Sequence, residues 1–394
     1  MIREAHFPPR YKELPRSLLK TISEVPNLGG DEADGSAAVW EWYGFGVESG
    51  ADQRPSRCER AKKGGRHDPG SIVRRMDVQT RCNCPPNGPF MPPPMTPKID
   101  PALHRDKKPE WIRVTLPRDP KFWSTKGLIT DLKLHTVCEE AQCPNRWECW
   151  SQGSATFMIA GDRCTRACGF CAVKTAKPFA LEADEPQRVA EATKRMGLNH
   201  IVITAVARDD MKDGGAEHFA RTIEAVREAV PTITIEILVP DFNGKDDALE
   251  VVMKAKPHIF NHNLETVERL TPLVRSRAMY HRSLHVLKRA KAMAEELGTQ
   301  CATKSGLMLG LGETETELFQ AMDDLREHDV TVLTLGQYLR PSPQHLPVIE
   351  YVHPDTFENY KQIALKKGFR HVASAPLVRS SYHASDFKPE LDLE

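Results

Sequence analysis

The chain contains 394 residues, and its 54 lysine and arginine residues are balanced by 54 aspartate and glutamate residues. A balanced charge gives no overall electrostatic attraction to nucleic acid or to a membrane surface, so we expect neither as a partner. The sequence has no apolar run near the roughly 18 residues that a membrane-spanning helix needs, and its first thirty residues lack the apolar segment of a signal peptide.

The first hundred residues have neither a helical nor a strand period, and 14 of the 30 prolines lie at or before Pro101. Such a segment cannot bury enough apolar surface to offset chain entropy. We expect residues 1–100 to be a disordered extension, or else sequence upstream of a natural start at Met91 or Met95. A mitochondrial presequence is a weaker alternative, because six acidic residues lie among the first 34.

Six of the ten cysteines form two triplets that are separated by fourteen residues. The triplets are Cys138-x4-Cys143-x5-Cys149 and Cys164-x3-Cys168-x2-Cys171. Three thiolates leave one iron of a four-iron, four-sulfur cluster open to another ligand, so we predict two such clusters. Zinc is an alternative, but zinc sites usually use C-x2-C pairs and four ligands. A disulfide framework is typical of small secreted chains instead.

From about residue 155, short apolar strands alternate with longer amphipathic helices. The predicted strands are 155–160, 200–206, 234–239, 258–262, 304–309 and 331–335. The predicted helices are 186–196, 216–230, 246–254, 284–297, 315–328 and 355–367. Six such units imply a parallel sheet with right-handed crossovers, whose ligand-binding loops lie at the carboxyl ends of the strands.

The second triplet, with Phe170 directly before Cys171, resembles the signature of the radical S-adenosylmethionine enzymes. The first triplet resembles the auxiliary-cluster motif of the lipoyl synthase family within that superfamily. The resemblance covers about residues 105–387. Further matching stretches are 208–216, 239–242, 261–266, 310–313, 338–341 and 379–384.

The resemblance implies an α/β fold, a partial (β/α)6 barrel of the TIM type, over residues 155–375. Residues 101–154 would form an auxiliary-cluster segment. Residues 376–394 would form a C-terminal tail that returns to the barrel mouth and carries a serine ligand.

The resemblance also implies roles for individual residues. Cys138, Cys143 and Cys149 would hold the auxiliary cluster, and Cys164, Cys168 and Cys171 the cluster that cleaves S-adenosylmethionine. The motif favours Ser381 over Ser380 as the fourth auxiliary ligand, and an alkoxide would release its iron more readily than a thiolate. The candidate S-adenosylmethionine contacts are Arg208, Asp209, Asp210, Asn261, Asn263, Gly310 and Glu313. The turn from Gly310 to Glu313 is also consistent with a helix start capped by Thr314, and the two interpretations can hold together.

The activity that this implies is insertion of two sulfur atoms, at carbons 6 and 8 of a protein-bound octanoyl-lysine, with the auxiliary cluster as sulfur donor. The implied partners are octanoylated lipoyl carrier domains (of the glycine-cleavage H protein or a 2-oxoacid dehydrogenase acyltransferase), a low-potential donor such as ferredoxin or flavodoxin, and an iron–sulfur carrier protein. The alternatives are another sulfur-inserting radical enzyme and a non-enzymatic iron–sulfur carrier. We expect a cytoplasmic protein, or a matrix protein if the source is eukaryotic.

Overall fold

The computed structural model describes residues 108–113, 119–152 and 154–387. The expectation for residues 1–100 therefore lies outside the described residues. The strands are β1 (His135–Thr136), β2 (Thr156–Ile159), β3 (Arg163–Cys164), β4 (Lys174–Thr175), β5 (His200–Ala205), β6 (Thr234–Leu238), β7 (Ile259–Asn261), β8 (Ala302–Leu309), β9 (Val332–Gln337) and β10 (His371–Ser374). The α-helices are α1 (Pro120–Asp131), α2 (Val137–Glu140), α3 (Arg146–Ser151), α4 (Glu185–Met196), α5 (Ala216–Ala229), α6 (Asp246–Lys254), α7 (Thr271–Val274), α8 (Tyr280–Glu296), α9 (Glu315–Glu327) and α10 (Pro354–Lys366).

The main sheet has the strand order β1-β2-β5-β6-β7-β8-β9-β10, and β3 pairs with β4 separately. Strands β2 and β5 to β10 run parallel to their neighbours, whereas β1 runs antiparallel to β2. Helices α4, α5, α6, α8, α9 and α10 connect the parallel strands in sequence. The architecture is the predicted α/β fold, a partial barrel of the TIM type.

All six predicted strands and all six predicted helices are present. The largest difference is at α8, which begins at Tyr280 rather than at residue 284. Tyr280 and Ser283 are buried and extend the inner face of this helix, although the two residues between them are polar. The structure adds a seventh parallel strand, β10, which pairs with residues 332–335 of β9. Of its four residues only Val372 is buried, so no apolar run or alternation marks this strand and sequence patterning missed it.

Local sequence explains where the helices begin and end. Helix α9 starts at a capping box in which Thr314 and Glu317 exchange hydrogen bonds with each other's backbone amides. Helix α4 ends at Gly197, whose φ of 64° lies in the left-handed region that glycine adopts without a Cβ penalty. These helices cover a sheet whose strands are almost wholly buried, as parallel strands require.

The tail after β10 returns across the carboxyl end of β9. The Gln337 amide donates to the Pro376 carbonyl oxygen at 3.1 Å, and the Asn145 side-chain amide donates to the Leu377 carbonyl oxygen at 2.6 Å. Gly336 permits this approach, since a Cβ there would lie 2.1 Å from the Val378 carbonyl oxygen. The tail therefore joins the strand ends to the loop of the first cysteine triplet. None of the described helices is long and apolar enough to cross a membrane.

Candidate active site

A cavity of about 510 Å³ lies among the loops that follow the strands. All six cysteines of the two triplets line it. The tail closes part of its wall with Arg379, Ser380 and Ser381. Residues that lie far apart in the chain therefore line one cavity.

The first triplet is held by two short helices. Cys138 lies in the first turn of α2, Cys149 lies in α3, and Cys143 lies in the loop between them, where its amide donates to the Cys138 carbonyl oxygen at 3.1 Å. Burial, with a smaller contribution from the Cys143 thiol, raises the pKa of Cys138 to about 11. Burial likewise raises the pKa of Cys149 to about 12, with added contributions from the other two thiols. The three thiols are thus close enough to affect one another.

Trp150 packs behind this triplet. Its side chain is fully buried, and its ring stacks on Phe122 with centroids 5.3 Å apart. No oxygen or nitrogen of the described residues accepts from its indole N–H, but the indole acts on the Cys138 thiol and lowers its pKa. A buried N–H without an oxygen acceptor suits a sulfur ligand, which accepts hydrogen bonds from the residues around an iron–sulfur cluster.

The second triplet lies on the loop that follows β2. Its backbone is tied to residues 274–276 and to His345. The Ala167 amide donates to Ser276 Oγ at 2.8 Å, the Gly169 amide donates to the Val274 carbonyl oxygen at 2.9 Å, and His345 Nε2 contacts the Cys171 carbonyl oxygen at 2.9 Å. Burial raises the pKa of Cys171 to about 12, with further contributions from Cys168 and Cys164. These thiols also form one mutually interacting set.

Both triplets fit iron–sulfur clusters. Burial raises the pKa of all six thiols, and a bound cationic metal group would supply the charge that stabilises thiolates there. Every cysteine of the two sets lines the shared cavity. This donor chemistry would suit two clusters with three thiolate ligands each.

Arg166 fixes the second loop through a buried charge network. Its guanidinium contacts Asp209 Oδ1 at 2.8 Å and Asp241 Oδ1 at 2.7 Å. Burial alone would raise the pKa of Asp241, but the Arg166 and Arg282 guanidinium groups hold it well below its ordinary value. The network joins the loop of the second triplet, which we call the radical loop, to the segments that follow β5 and β6. Sequence reasoning did not identify Arg166 or Asp241.

The structure places the predicted S-adenosylmethionine contacts in different environments. Of the seven, Asn263 lines the cavity. Asp209 pairs with Arg166, and Arg208 pairs with Asp210 at 2.9 Å. Asn261 is fully buried beneath the tail.

The last two, Gly310 and Glu313, form the turn before α9. The Glu313 carboxylate accepts from the amides of Gly310, at 2.6 Å, and of Leu311, at 3.0 Å. A Cβ at Gly310 would lie 2.2 Å from the Glu350 carbonyl oxygen, so this glycine allows close approach of protein backbone. The capped helix start that the sequence left open is present here. Any contact of this turn with the cofactor stays a prediction.

Glu265 is a cavity residue that the sequence analysis missed. Its carboxylate accepts from the Asn263 side-chain amide at 3.0 Å. Burial raises its pKa, while Arg275, Asn263 and Arg379 act in the opposite direction. Glu265 lines the same cavity as both cysteine triplets. Its position within the matching stretch 261–266 was a signal that could have identified it.

The two adjacent serines of the tail have different partners. Ser381 Oγ accepts from Thr156 Oγ1 at 2.7 Å, and the Thr156 backbone hydrogen-bonds the Cys138 thiol. Ser380 Oγ instead accepts from Asn261 at 2.8 Å and donates to Asn263 at 3.0 Å. Ser381 therefore lies on the side of the first triplet, and Ser380 on the side of β7.

Comparison with known proteins gives three kinds of match. The family model "Radical SAM superfamily" matches residues 158–325. The chain is 53% identical over 291 residues to a lipoyl synthase of Shouchella clausii, covering 74% of this chain and 93% of the relative. It is 55% identical over 281 residues to a lipoyl synthase of Halalkalibacterium halodurans, covering 71% and 91%. Among solved structures, methylornithine synthase aligns with a TM-score of 0.42 at 13% identity, covering 68% of this chain and 87% of that one.

Proposed function

The chain belongs to the lipoyl synthase family of radical S-adenosylmethionine enzymes, and from that premise we propose how its residues divide the reaction. It is a sulfur-inserting transferase that uses two four-iron, four-sulfur clusters and S-adenosylmethionine, and it acts on a lipoyl carrier protein with electrons from a reductant. When bound, these groups supply the radical that removes hydrogen from the octanoyl chain and the sulfur that replaces it.

We assign Cys164, Cys168 and Cys171 to the cluster that binds S-adenosylmethionine. The assignment is supported by the anchoring of their loop at Ala167, Gly169 and Cys171, which keeps the three sulfurs oriented toward the cavity. The Arg166 network holds the same loop against the strand ends. The role of these residues is to fix the reacting groups in place, and a fixed geometry lowers the barrier of a step between bound partners.

We assign Cys138, Cys143, Cys149 and Ser381 to the auxiliary cluster, which donates sulfur. The observation that carries this proposal is the shared cavity. These three cysteines line it together with the three cysteines of the radical loop, and Ser381 of the tail lines it as well. A serine oxygen is a harder ligand than a thiolate and accepts a proton more readily. Ser381 would therefore hold an iron less firmly than the three cysteines would, which suits a cluster that supplies sulfur.

We further propose that Asn263 and Glu265 bind hydroxyl or amino groups of S-adenosylmethionine. Both line the cavity, and their side chains are joined by a hydrogen bond at 3.0 Å. A carboxylate accepts and an amide both donates and accepts, so the pair can satisfy two neighbouring polar groups of a ligand. Arg208, Asp209, Asp210, Asn261, Gly310 and Glu313 stay predicted contacts that would act through backbone groups or by supporting the lining.

For the partners we propose an octanoylated domain of the glycine-cleavage H protein or of a 2-oxoacid dehydrogenase acyltransferase. We propose ferredoxin or flavodoxin as the electron donor, and an iron–sulfur carrier protein to restore the auxiliary cluster. The bacterial relatives favour a cytoplasmic location.

Two triple variants test the division of the clusters. Changing Cys164, Cys168 and Cys171 to alanine should leave about one four-iron cluster per chain and abolish S-adenosylmethionine cleavage. Changing the other three cysteines to alanine should retain some cleavage and abolish sulfur insertion. Iron, acid-labile sulfide, 5′-deoxyadenosine and lipoyl product are measured anaerobically. Cleavage in the first variant, or normal lipoyl yield in the second, would contradict the assignment.

A further inference from the structure

A hydrogen-bonded chain of side chains links the barrel core to the cavity through the tail. It begins at Glu236, a fully buried carboxylate that accepts from Lys304 Nζ at 2.8 Å. The Asn261 side-chain amide donates to the same carboxylate at 3.0 Å and to Ser380 Oγ at 2.8 Å. Ser380 then donates to Asn263 Oδ1 at 3.0 Å. The last link, from the Asn263 amide, ends at Glu265 in the cavity.

The chemistry of these groups fixes the direction of every link. Burial alone would raise the pKa of Glu236, but Lys304 and His200 together outweigh burial and lower it, so the carboxylate stays ionised. An ionised carboxylate only accepts, so Asn261 must turn its NH2 group toward it. The second N–H of that group points to Ser380 Oγ, whose own proton is then left for Asn263. Asn263 accepts this hydrogen bond with Oδ1, so its NH2 group must face Glu265.

We propose that Ser380 is a positioning residue for cofactor binding, whose hydroxyl sets the orientation of the Asn263 amide and through it holds the Glu265 carboxylate. This inference rests on the proposed role of Asn263 and Glu265 in binding S-adenosylmethionine. The C-terminal tail then serves both halves of the site. Ser381 completes the auxiliary cluster, and Ser380 completes the cofactor site.

Among the described residues, the Ser380 hydroxyl is the group that donates to Asn263 Oδ1. Asn263 is 7% exposed, and its Oδ1 lies close to Gly306, where a Cβ would be 3.0 Å away. No second side chain of the described residues donates to this oxygen in place of the serine. Without Ser380, Asn263 Oδ1 would lose its donor, and the amide would gain freedom to turn its oxygen toward Glu265. Two acceptors would then face each other in the cavity.

The test compares adjacent serines in protein loaded with both clusters, without reductant, so that S-adenosylmethionine binds and is not cleaved. Ser380→Ala should raise the Kd for S-adenosylmethionine about tenfold in equilibrium dialysis, with iron and acid-labile sulfide unchanged. Ser381→Ala should leave that Kd within about twofold and instead impair sulfur insertion. The two variants remove the same atom from neighbouring positions, so each is the control for the other.

Ser380→Thr and Ser380→Val form a second matched pair, because they have the same shape and differ in the hydroxyl. Thr should bind S-adenosylmethionine more tightly than Val, and this comparison stands even if the alanine variant loads poorly. Equal affinity of the two would overturn the proposal, and so would loss of auxiliary iron in Ser380→Ala, which would make Ser380 the ligand. Asn263→Ala and Glu265→Gln separate failure of the positioning role of Ser380 from failure of the proposed cofactor contacts. If they weaken binding and no Ser380 variant does, the positioning role fails, and if they too have no effect, the assigned cofactor contacts fail.

Discussion

The tail approaches the sheet closely at Gly336, and we expect Gly336→Ala to impair sulfur insertion. The added Cβ would lie 2.1 Å from the Val378 carbonyl oxygen and 3.0 Å from its carbon, whereas ordinary contacts begin at 3.4 Å. Both atoms belong to backbone, so the tail must move by about 1 Å to relieve the clash. Ser381 lies only three residues further on and would move with it.

The size of the effect follows from that displacement. A shift of about 1 Å in a reacting group can reduce a rate by about 100-fold, and an overpacked site costs about 1–3 kcal/mol of folding stability. We therefore expect single-turnover lipoyl formation to fall by about two orders of magnitude. Cleavage at saturating S-adenosylmethionine should persist, because the anchors of the radical loop do not involve Gly336. Mass spectrometry of the carrier and 5′-deoxyadenosine yield measure the two activities.

Gly127→Ala is the matched control. Gly127 lies inside α1, and a Cβ there would have no heavy atom within 4 Å. Alanine is the better helix former by about 0.5–1 kcal/mol, so this variant should be active and slightly more stable. Wild-type sulfur insertion by Gly336→Ala would refute the view that the tail position controls the auxiliary site.

Three further changes test other parts of the site. Ser381→Ala should retain the three-cysteine auxiliary cluster but reduce single-turnover lipoyl formation at least tenfold, and full activity would remove Ser381 as a ligand. Gly306→Ala would place a Cβ 2.5 Å from Thr334 Oγ1 and 3.0 Å from Asn263 Oδ1; it should weaken S-adenosylmethionine binding about tenfold in dialysis, and an unchanged Kd would count against Asn263. Asp241 has a lowered pKa in the fold, so its contribution is complete above its ordinary pKa near 3.8 and is lost as the pH falls. Asp241→Asn should therefore cost about 3 kcal/mol at pH 7 in urea unfolding and less at pH 3, and an equal cost at both pH values would contradict the network.

Much of the fold could be predicted from sequence because its signals are local. Alternating apolar strands and amphipathic helices gave all six βα units, with ends within four residues of those observed. Strand β10 was missed, since its four residues are recognised as a strand only through pairing with β9. The short helices of the first triplet were also missed, because six residues or fewer give no helical period.

The candidate site was predicted unevenly, for a physical reason. A thiol has few uses other than binding a metal or forming a disulfide, so the spacing of the cysteines alone was enough to predict them as cluster ligands. The acidic and amide residues have many uses, and their partners decide between them. Asp209 bonds Arg166, 43 positions earlier, and Asn261 bonds the tail, whereas Asn263 and Glu265 line the cavity.

The sequence by itself therefore determined the metal-binding chemistry, the family resemblance and the order of βα units, because these depend on residue type and short spacing. The tertiary structure decided which polar groups face the ligands and what each tail serine contacts. Ser381 meets Thr156 across 225 residues, and Ser380 meets Asn263 across 117. Such contacts form only when the sheet brings its strand ends together and the tail returns over them, and no local pattern encodes that approach.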